Sequence, residues 1–315
     1  MPVDALALDP ATATPMAGTF SMDGAVLWFR PRFAFAAGTS YAWITRQPPA
    51  RPALLLTRPA PARAATTVVT GIYPTTARLP VNVLRFYLHF SAPMSEGFAA
   101  TAVQLRDGES GETLAAAILP MEPELWDPGR RRLTLLLDPG RIKRGLAPHT
   151  EAGYPLTSGR RVILGVDPAF PDATGTALAA MAVREYAVGS AIRQRVSPDH
   201  WRIGHPVRRT RRPVRVHFDR PMDHALVHRC LTIADTAGRR VTGRSTVPAG
   251  ERDWIFTPAA DWADEQYLLL VRPQLEDIAG NSVTRVFDRD LTNPSHDPRP
   301  PSTIRLTLTS QNPPR

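Results

Sequence analysis

The pattern Phe-x-x-Pro-Met occurs twice, as Phe90-Ser91-Ala92-Pro93-Met94 and as Phe218-Asp219-Arg220-Pro221-Met222, 128 residues apart. Each copy closes an alternating apolar run: Leu84, Phe86, Leu88 and Phe90 in one, Val214, Val216 and Phe218 in the other. Alternation with period two is the signature of a half-buried strand. Each copy is followed by a capping residue, Ser95 or Asp223. A strand motif recurring at a domain-sized interval requires a tandem of similar units rather than one large core. The 33 prolines of the 315 residues are hostile to helix interiors and welcome at turns and sheet edges. The expected fold class is therefore all-β.

The order of signals within the two units agrees. After Phe218 come Leu231-Thr232-Ile233, a polar turn at 236–239, the run Trp254 to Pro258, the row Tyr267, Leu269 and Val271, and a turn at Asp277-Ile278-Ala279-Gly280-Asn281. Asp bonds the backbone ahead of it, and Gly and Asn tolerate positive φ. Val283 to Phe287 is then expected to be the last strand. In the earlier unit Val103 to Leu105, Leu133 to Leu137, Val162 to Val166 and Asp172 to Gly175 occupy the same order. The two Asp turns are 105 residues apart, so the earlier unit carries about 23 additional residues, expected mainly as a loop near 139–159. Leu178 to Val183 has helical propensity, but its place in the repeat assigns it to a strand.

The organisation expected is a partial unit at 1–46, a Pro- and Ala-rich linker at 47–65, complete units at 66–190 and 191–291, and a tail at 292–315. The partial unit rests on Leu27 to Pro31, which parallels Trp254 to Pro258, and on equal spacings from Asp9 to Trp28 and from Asp235 to Trp254. No Phe-x-x-Pro-Met strand precedes it, so a true start upstream is expected, together with a signal peptide. Leu54 to Leu56 within the linker offers an alternative strand for the partial unit, and Ile304 to Leu308 is a strand candidate in the tail.

Short strands with turns every 8–12 residues suggest immunoglobulin-like sandwiches, the first one truncated. The ordered set Phe218, Pro221, Met222, Phe256, Pro258, Tyr267, Asp277, Gly280 and Asn281 resembles the bacterial Ig-like domain family named after surface-layer proteins (SbsA-type). In the earlier unit Phe90, Pro93, Met94, Asp172 and Gly175 match, while Thr176 stands in place of Asn. The resemblance implies envelope or secreted proteins whose domains act as spacers, structural repeats or adhesive modules. It implies no catalytic residues and no cofactor.

Chemical motifs are sparse. There is no G-x-S-x-G elbow, P-loop or G-x-G-x-x-G pattern. His224 and His228 would share one face of a helix and could approach a transition metal, but no Glu stands between them as in H-E-x-x-H. Asp288, Asp290 and Asp297 would suit calcium at a domain boundary, though their spacing fits no defined loop and Arg285 and Arg289 oppose a cation. Glu122 and Glu124 flank Pro123, too little to define a glycosidase pair. Trp28 and Trp254 hold equivalent strand positions and are assigned to cores. Trp126, Trp201 and Trp262 lie in polar segments and are candidates for exposed contact, Trp126 and Trp262 foremost. Arg141, Lys143 and Arg144 in the insertion are further candidates for binding.

The net charge is +9, and Lys143 is the only lysine. Arginines are scattered through every unit, which argues for general surface charge rather than a nucleic-acid stripe. Cys230 is the only cysteine, so no intrachain disulfide forms. No apolar run reaches the length of a membrane span. The reading is a non-catalytic Ig-like repeat protein of the bacterial envelope or secreted fraction, partnered by an envelope protein or polysaccharide. The alternatives are a polysaccharide-binding module of a larger secreted enzyme and a basic nucleic-acid-binding protein. If Met1 is the true start, the location would be cytoplasmic.

Overall fold

The computed structural model describes residues 14–36, 38–44, 52–59, 64–296, 298–300 and 302–312. The described residues begin with two antiparallel strand pairs. β1 (Gly18–Asp23) pairs with β2 (Val26–Pro31), and β3 (Ser40–Ile44) pairs with β4 (Pro52–Thr57). Leu54 to Leu56 are thus in a strand, not a linker. Asp9, used to align the partial unit, lies outside the described residues.

The next elements are β5 (Val69–Tyr73), β6 (Arg78–Pro80), β7 (Arg85–Phe90), α1 (Ala99–Ala102), β8 (Val103–Asp107), β9 (Leu125–Trp126) and β10 (Arg132–Leu136). They continue with α2 (Pro139–Ile142), α3 (Ala147–Ala152), β11 (Arg161–Val166) and β12 (Ala182–Gly189). The strands form two four-stranded sheets, ordered β5-β7-β10-β9 and β6-β12-β11-β8. Strand β12 begins at Ala182, so only the end of the helix-prone Leu178 to Val183 segment is extended. Tertiary pairing overrides propensity there.

The last region holds β13 (Arg202–Ile203), β14 (Val214–His217), α4 (His224–Cys230), β15 (Leu231–Asp235), β16 (Gly243–Thr246), β17 (Asp253–Pro258), β18 (Gln266–Val271) and β19 (Ile304–Thr309). Its sheets are ordered β13-β14-β17-β16 and β15-β18-β19. β13-β14-β17-β16 matches β5-β7-β10-β9 strand for strand, β15-β18-β19 matches β8-β11-β12, and the molecule is an all-β sandwich protein. Even the parallel pairing of β6 with β12 has a counterpart, the parallel bridge from Val207 to Gln311.

One strand assignment is corrected. Val283 to Phe287 is not extended; Ser282 Oγ accepts from the N–H groups of Thr284 and Arg285, and Ser282 N–H donates to Arg285 O, closing a tight turn. The last strand comes from the tail. Ile304, Leu306 and Leu308 alternate along β19, which pairs with β18 from Val271↔Ile304 to Gln266↔Thr309.

The chain divides into two compact units: Met1–Ile72 with Tyr87–Leu135 and Ile163–Arg184, and Tyr73–Phe86 with Leu136–Val162 and Glu185–Arg315. In the first unit Phe90, Trp126 and Phe170 meet as an aromatic triad with centroids 5.7 to 6.1 Å apart. In the second, Phe218, Trp254, Phe256, Trp262 and Tyr267 share a core with Leu269, Val271 and Leu308. A fully buried Phe or Leu side chain contributes roughly 1.5–3 kcal/mol relative to exposure. By contrast Trp28 is 58% exposed while Trp254 is 1% exposed. The core assignment of Trp28 is overturned: β1 and β2 form a two-stranded sheet of their own.

Candidate functional site

The Phe-x-x-Pro-Met strands and the Asp turns meet in space. Met94 bridges to Asp172, and Met222 bridges to Asp277, both antiparallel. Around each pair the same backbone bonds recur. Met94 N–H donates to Arg130 O as Met222 N–H donates to Glu251 O. Phe90 pairs with Arg131 as Phe218 does with Arg252, and Ser95 donates to Pro171 O as Asp223 does to Glu276 O. Pro93 O receives Ala173 N–H, and Pro221 O receives Ile278 N–H. Phe90, Met94, Phe218 and Met222 are buried, as are Phe256, Tyr267, Gly280 and Asn281. Both Gly175 and Gly280 have positive φ, at 82° and 78°, which the turn demands.

Each Asp closes its own turn. Asp172 Oδ1 accepts from Thr174 N–H and Thr176 N–H at 2.8 and 3.1 Å, and Oδ2 accepts from Thr67 Oγ1 at 2.7 Å. Asp277 Oδ1 accepts from Ala279 N–H and Asn281 N–H at 2.9 and 3.0 Å. Arg220 Nη1 lies 3.4 Å from Asp277 Oδ2, and Asn281 Nδ2 lies 3.0 Å from it. Burial raises the Asp172 carboxyl, but its hydroxyl and amide donors outweigh burial and hold it below the usual range. For Asp277 burial wins over the same kinds of donors and over Arg220, and pushes it up to about 6.

The 139–159 insertion is largely exposed but is not a plain loop. It forms α2 and α3, and its basic residues are engaged within the second compact unit. Arg141 donates to the carbonyls of Ala152, Gly153 and Tyr154 at 3.2, 3.1 and 2.9 Å, closing the C-terminal end of α3. Lys143 Nζ sits 4.6 Å from the centroid of the Phe287 ring. Arg144 reaches Asp288 Oδ2 through Nε at 2.9 Å and Oδ1 through its N–H at 3.0 Å. Arg193 Nε is 2.7 Å from the same Oδ2, and Tyr154 OH is 3.2 Å from it. The Asp288 side chain is 1% exposed. Burial raises its carboxyl, yet the Arg193 and Arg144 bonds hold it below the usual range. The two guanidinium groups hold Oδ2 and the Arg144 N–H holds Oδ1, the oxygens that the calcium reading would have assigned to a metal. Asp290 bonds Thr292, and Asp297 lies outside the described residues.

Two further carboxylates join the same unit. Glu251 is fully buried and accepts from Thr75 N–H at 2.7 Å, from Thr76 N–H at 3.1 Å and from Thr75 Oγ1. Glu276 pairs with Arg85 and with Arg285, and Arg85 Nε lies 3.4 Å from Asp223 Oδ2. No motif pointed to Glu251, Tyr154 or Arg193. The repeated Gly129-Arg130-Arg131 and Gly250-Glu251-Arg252 was a legible signal, since Arg130 and Glu251 share a φ of 51°.

The aromatic candidates turn inward. Trp126 and Trp262 are buried, the first against Phe90 and Phe170, the second against Phe256 and Tyr267. Their indole N–H groups donate to Glu124 Oε2 and Arg212 O, which is how polar segments came to surround core residues. Neither presents the open stacking face expected of it. Trp201 is also buried, packed edge-on against Phe218. His224 and His228 do share a face of α4, with centroids 5.3 Å apart. His224 stacks on Tyr73 at 3.7 Å, and burial lowers the His228 imidazole. Burial likewise pushes the Cys230 thiol up, the state of an inert core cysteine.

No family model matches the chain, and no curated protein matches it. Among solved structures it is similar to native alpha-2-macroglobulin from Escherichia coli spanning domains MG0-NIE-MG1, at 12% identity. That alignment covers 78% of this chain and 71% of the other, with a TM-score of 0.25. Domains 5-6 of the S-layer protein SbsC align at 8% identity over 78% and 100% of the two chains, with a TM-score of 0.22. The titin I-band fragment I67-I69 aligns at 9% identity over 80% and 68%, with a TM-score of 0.21. Among the described residues no helix is long and apolar enough to cross a membrane.

Proposed function

We propose that the chain is a non-catalytic array of Ig-like modules, a structural spacer or presentation module of the bacterial envelope or secreted fraction. Complete sandwiches at 66–190 and 191–291, the latter closed by the strand at 304–309, are part of that proposal. The observation that carries it is the investment of buried charge in fixing backbone. Glu251 and Asp288 each bind donors from another segment of the same compact unit, and Asp277 binds Arg220 within its own segment. Breaking a buried ion pair such as those of Asp288 costs about 3–5 kcal/mol. Such groups define one geometry for the segments they join, which is what a spacer needs.

The scattered arginines support the same reading over nucleic-acid binding. Within the densest basic run Arg208 pairs with Asp264 at 2.7 Å and Arg211 with Asp261 at 3.4 Å. The test is NMR relaxation on the whole chain. Amides in 73–86, 136–162 and 185–312 should share one rotational correlation time, and Glu251→Ala with Asp288→Ala should separate them. Independent tumbling of these segments in the unaltered chain would refute the spacer role. The envelope location is tested by cell fractionation, where co-purification with cytosolic markers alone would remove it.

A further inference from the structure

The first four strands repeat half of the last region. β1 pairs with β2 from Gly18↔Pro31, as β16 pairs with β17 from Gly243↔Pro258. A Cβ on Gly18 would meet the Phe29 ring at 2.4 Å, and one on Gly243 would meet the Phe256 ring at 2.5 Å, so each glycine makes room for an equivalent ring. Tyr41 pairs with Leu56 as Tyr267 does with Leu308. Tyr41 OH accepts from Ala36 N–H at 2.7 Å, and Tyr267 OH accepts from Ala263 N–H at 2.9 Å. Phe20 meets Trp43 edge-on with centroids 5.5 Å apart, so the two strand pairs pack on each other as half a sandwich.

What the half lacks is equally specific. In the last region β17 also pairs with β14, and β18 with β15. Among the described residues β2 and β3 have no second neighbour. Leu27 and Leu56 are 46% and 45% exposed, where their equivalents Trp254 and Leu308 are each 1% exposed. Alternation along the ladder fixes which backbone groups are open. Arg32 N–H donates to Ala17 O, so Trp28 and Arg30 face β1, and the N–H and C=O groups of Leu27 and Phe29 face the open edge. Trp254 and Phe256, at the same positions of β17, face β14, as the bond from Phe218 N–H to Arg252 O requires.

We propose that the open edge of β2 accepts one strand from a partner chain by β-augmentation, and that this strand is of the Phe-x-x-Pro-Met class. The molecule itself shows what covers such an edge. Val214 lies opposite Phe256 and Val216 opposite Trp254, with Phe218 closing the run. The incoming strand is therefore antiparallel to β2, with small branched residues opposite Phe29 and Leu27 and its Phe opposite Ala25. Main-chain bonds to Leu27 and Phe29 supply affinity, and alternate apolar side chains on the face shared by Phe20 and Phe29 supply specificity. A second copy of this chain is not the donor, because Phe90 and Phe218 are already buried in its own sandwiches.

The experiment adds a synthetic peptide of residues 213–222 to the whole chain and follows amide hydrogen exchange by NMR. Binding should slow exchange at Leu27 and Phe29 about tenfold or more and leave Trp28 and Arg30, already bonded to β1, unchanged. A peptide of the same composition with its alternation scrambled should leave all four amides unchanged. Leu27→Pro removes a donor from the open edge and none from the β1 ladder, and should weaken binding of the 213–222 peptide about tenfold or more. Leu27 and Phe29 amides already protected in the chain alone would mean that the edge is filled, by a second copy if sedimentation shows a dimer, and would overturn the proposal. Equal effects of the two peptides, or no slowing with either, would overturn it too. The peptide comparison on the unaltered chain needs no variant to fold.

Discussion

The turn at Asp172 and the turn at Asp277 are made from the same backbone bonds, and burial raises both carboxyls, yet their net shifts are opposite. Each Asp sits opposite the Met of a Phe-x-x-Pro-Met strand and gathers the N–H groups of its own turn. Asp172 also receives two threonine hydroxyls, from Thr67 and Thr174, and stays below the usual carboxylate range. Asp277 is deeper, receives Asn281 Nδ2 and a long contact from Arg220, and is pushed up to about 6. The comparison separates two things a motif can carry. Hydrogen-bond geometry is shared by both copies; charge stability depends on which neighbours supply the remaining donors.

The largest test concerns the shared part. Phe90→Ala and Phe218→Ala should each cost about 3–5 kcal/mol in denaturant unfolding, since both rings are buried in aromatic clusters. A loss below about 1 kcal/mol at either would show that the two copies are not equivalent. A smaller and more discriminating test uses the paired left-handed residues. Glu251→Gly should cost about 2 kcal/mol or more, because relief of the positive φ does not replace the bonds to Thr75 and Thr76. Arg130→Gly at the same φ should change stability by less than about 1 kcal/mol.

The finest test is pH. The folded value of Asp277, about 6, lies above its ordinary 3.8, so the stability it contributes is fully present below about 4 and is lost as pH rises through about 6. Asp172 and Asp288 lie below their ordinary values, so their contributions are present at neutral pH and are lost as pH falls through those lowered values. Unfolding midpoints measured across about pH 2 to 7 should therefore differ between the unaltered chain and Asp277→Asn mainly above about pH 5. Asp172→Asn should alter the acid limb instead. An unchanged profile for Asp277→Asn would mean that burial does not govern that carboxylate.

Much of the fold was readable from residue order. The alternating rows around Phe90 and Phe218 became β7 and β14, and Tyr267, Leu269 and Val271 became β18, because a period-two pattern leaves a strand only one way to bury its apolar face. The failures have a common physical form. Trp126 and Trp262 looked exposed because their neighbours are polar, but those neighbours include the groups that satisfy the indoles. Val283 to Phe287 looked like a strand, but Ser282 captured its amides in a turn and β19 took the edge of β18. Trp28 has the pattern of a core residue in a hairpin whose sheet has two strands.

Local order along the chain was sufficient to dictate an all-β fold with Asp turns, since strand period, proline placement and the Asp-x-x-Gly turn are properties of neighbouring residues. Only the tertiary structure decided where the charges of the insertion go, which carboxylates are buried, and which Met meets which Asp. Those outcomes depend on side chains brought together from positions as far apart as Arg144 and Asp288, and no spacing rule connects them.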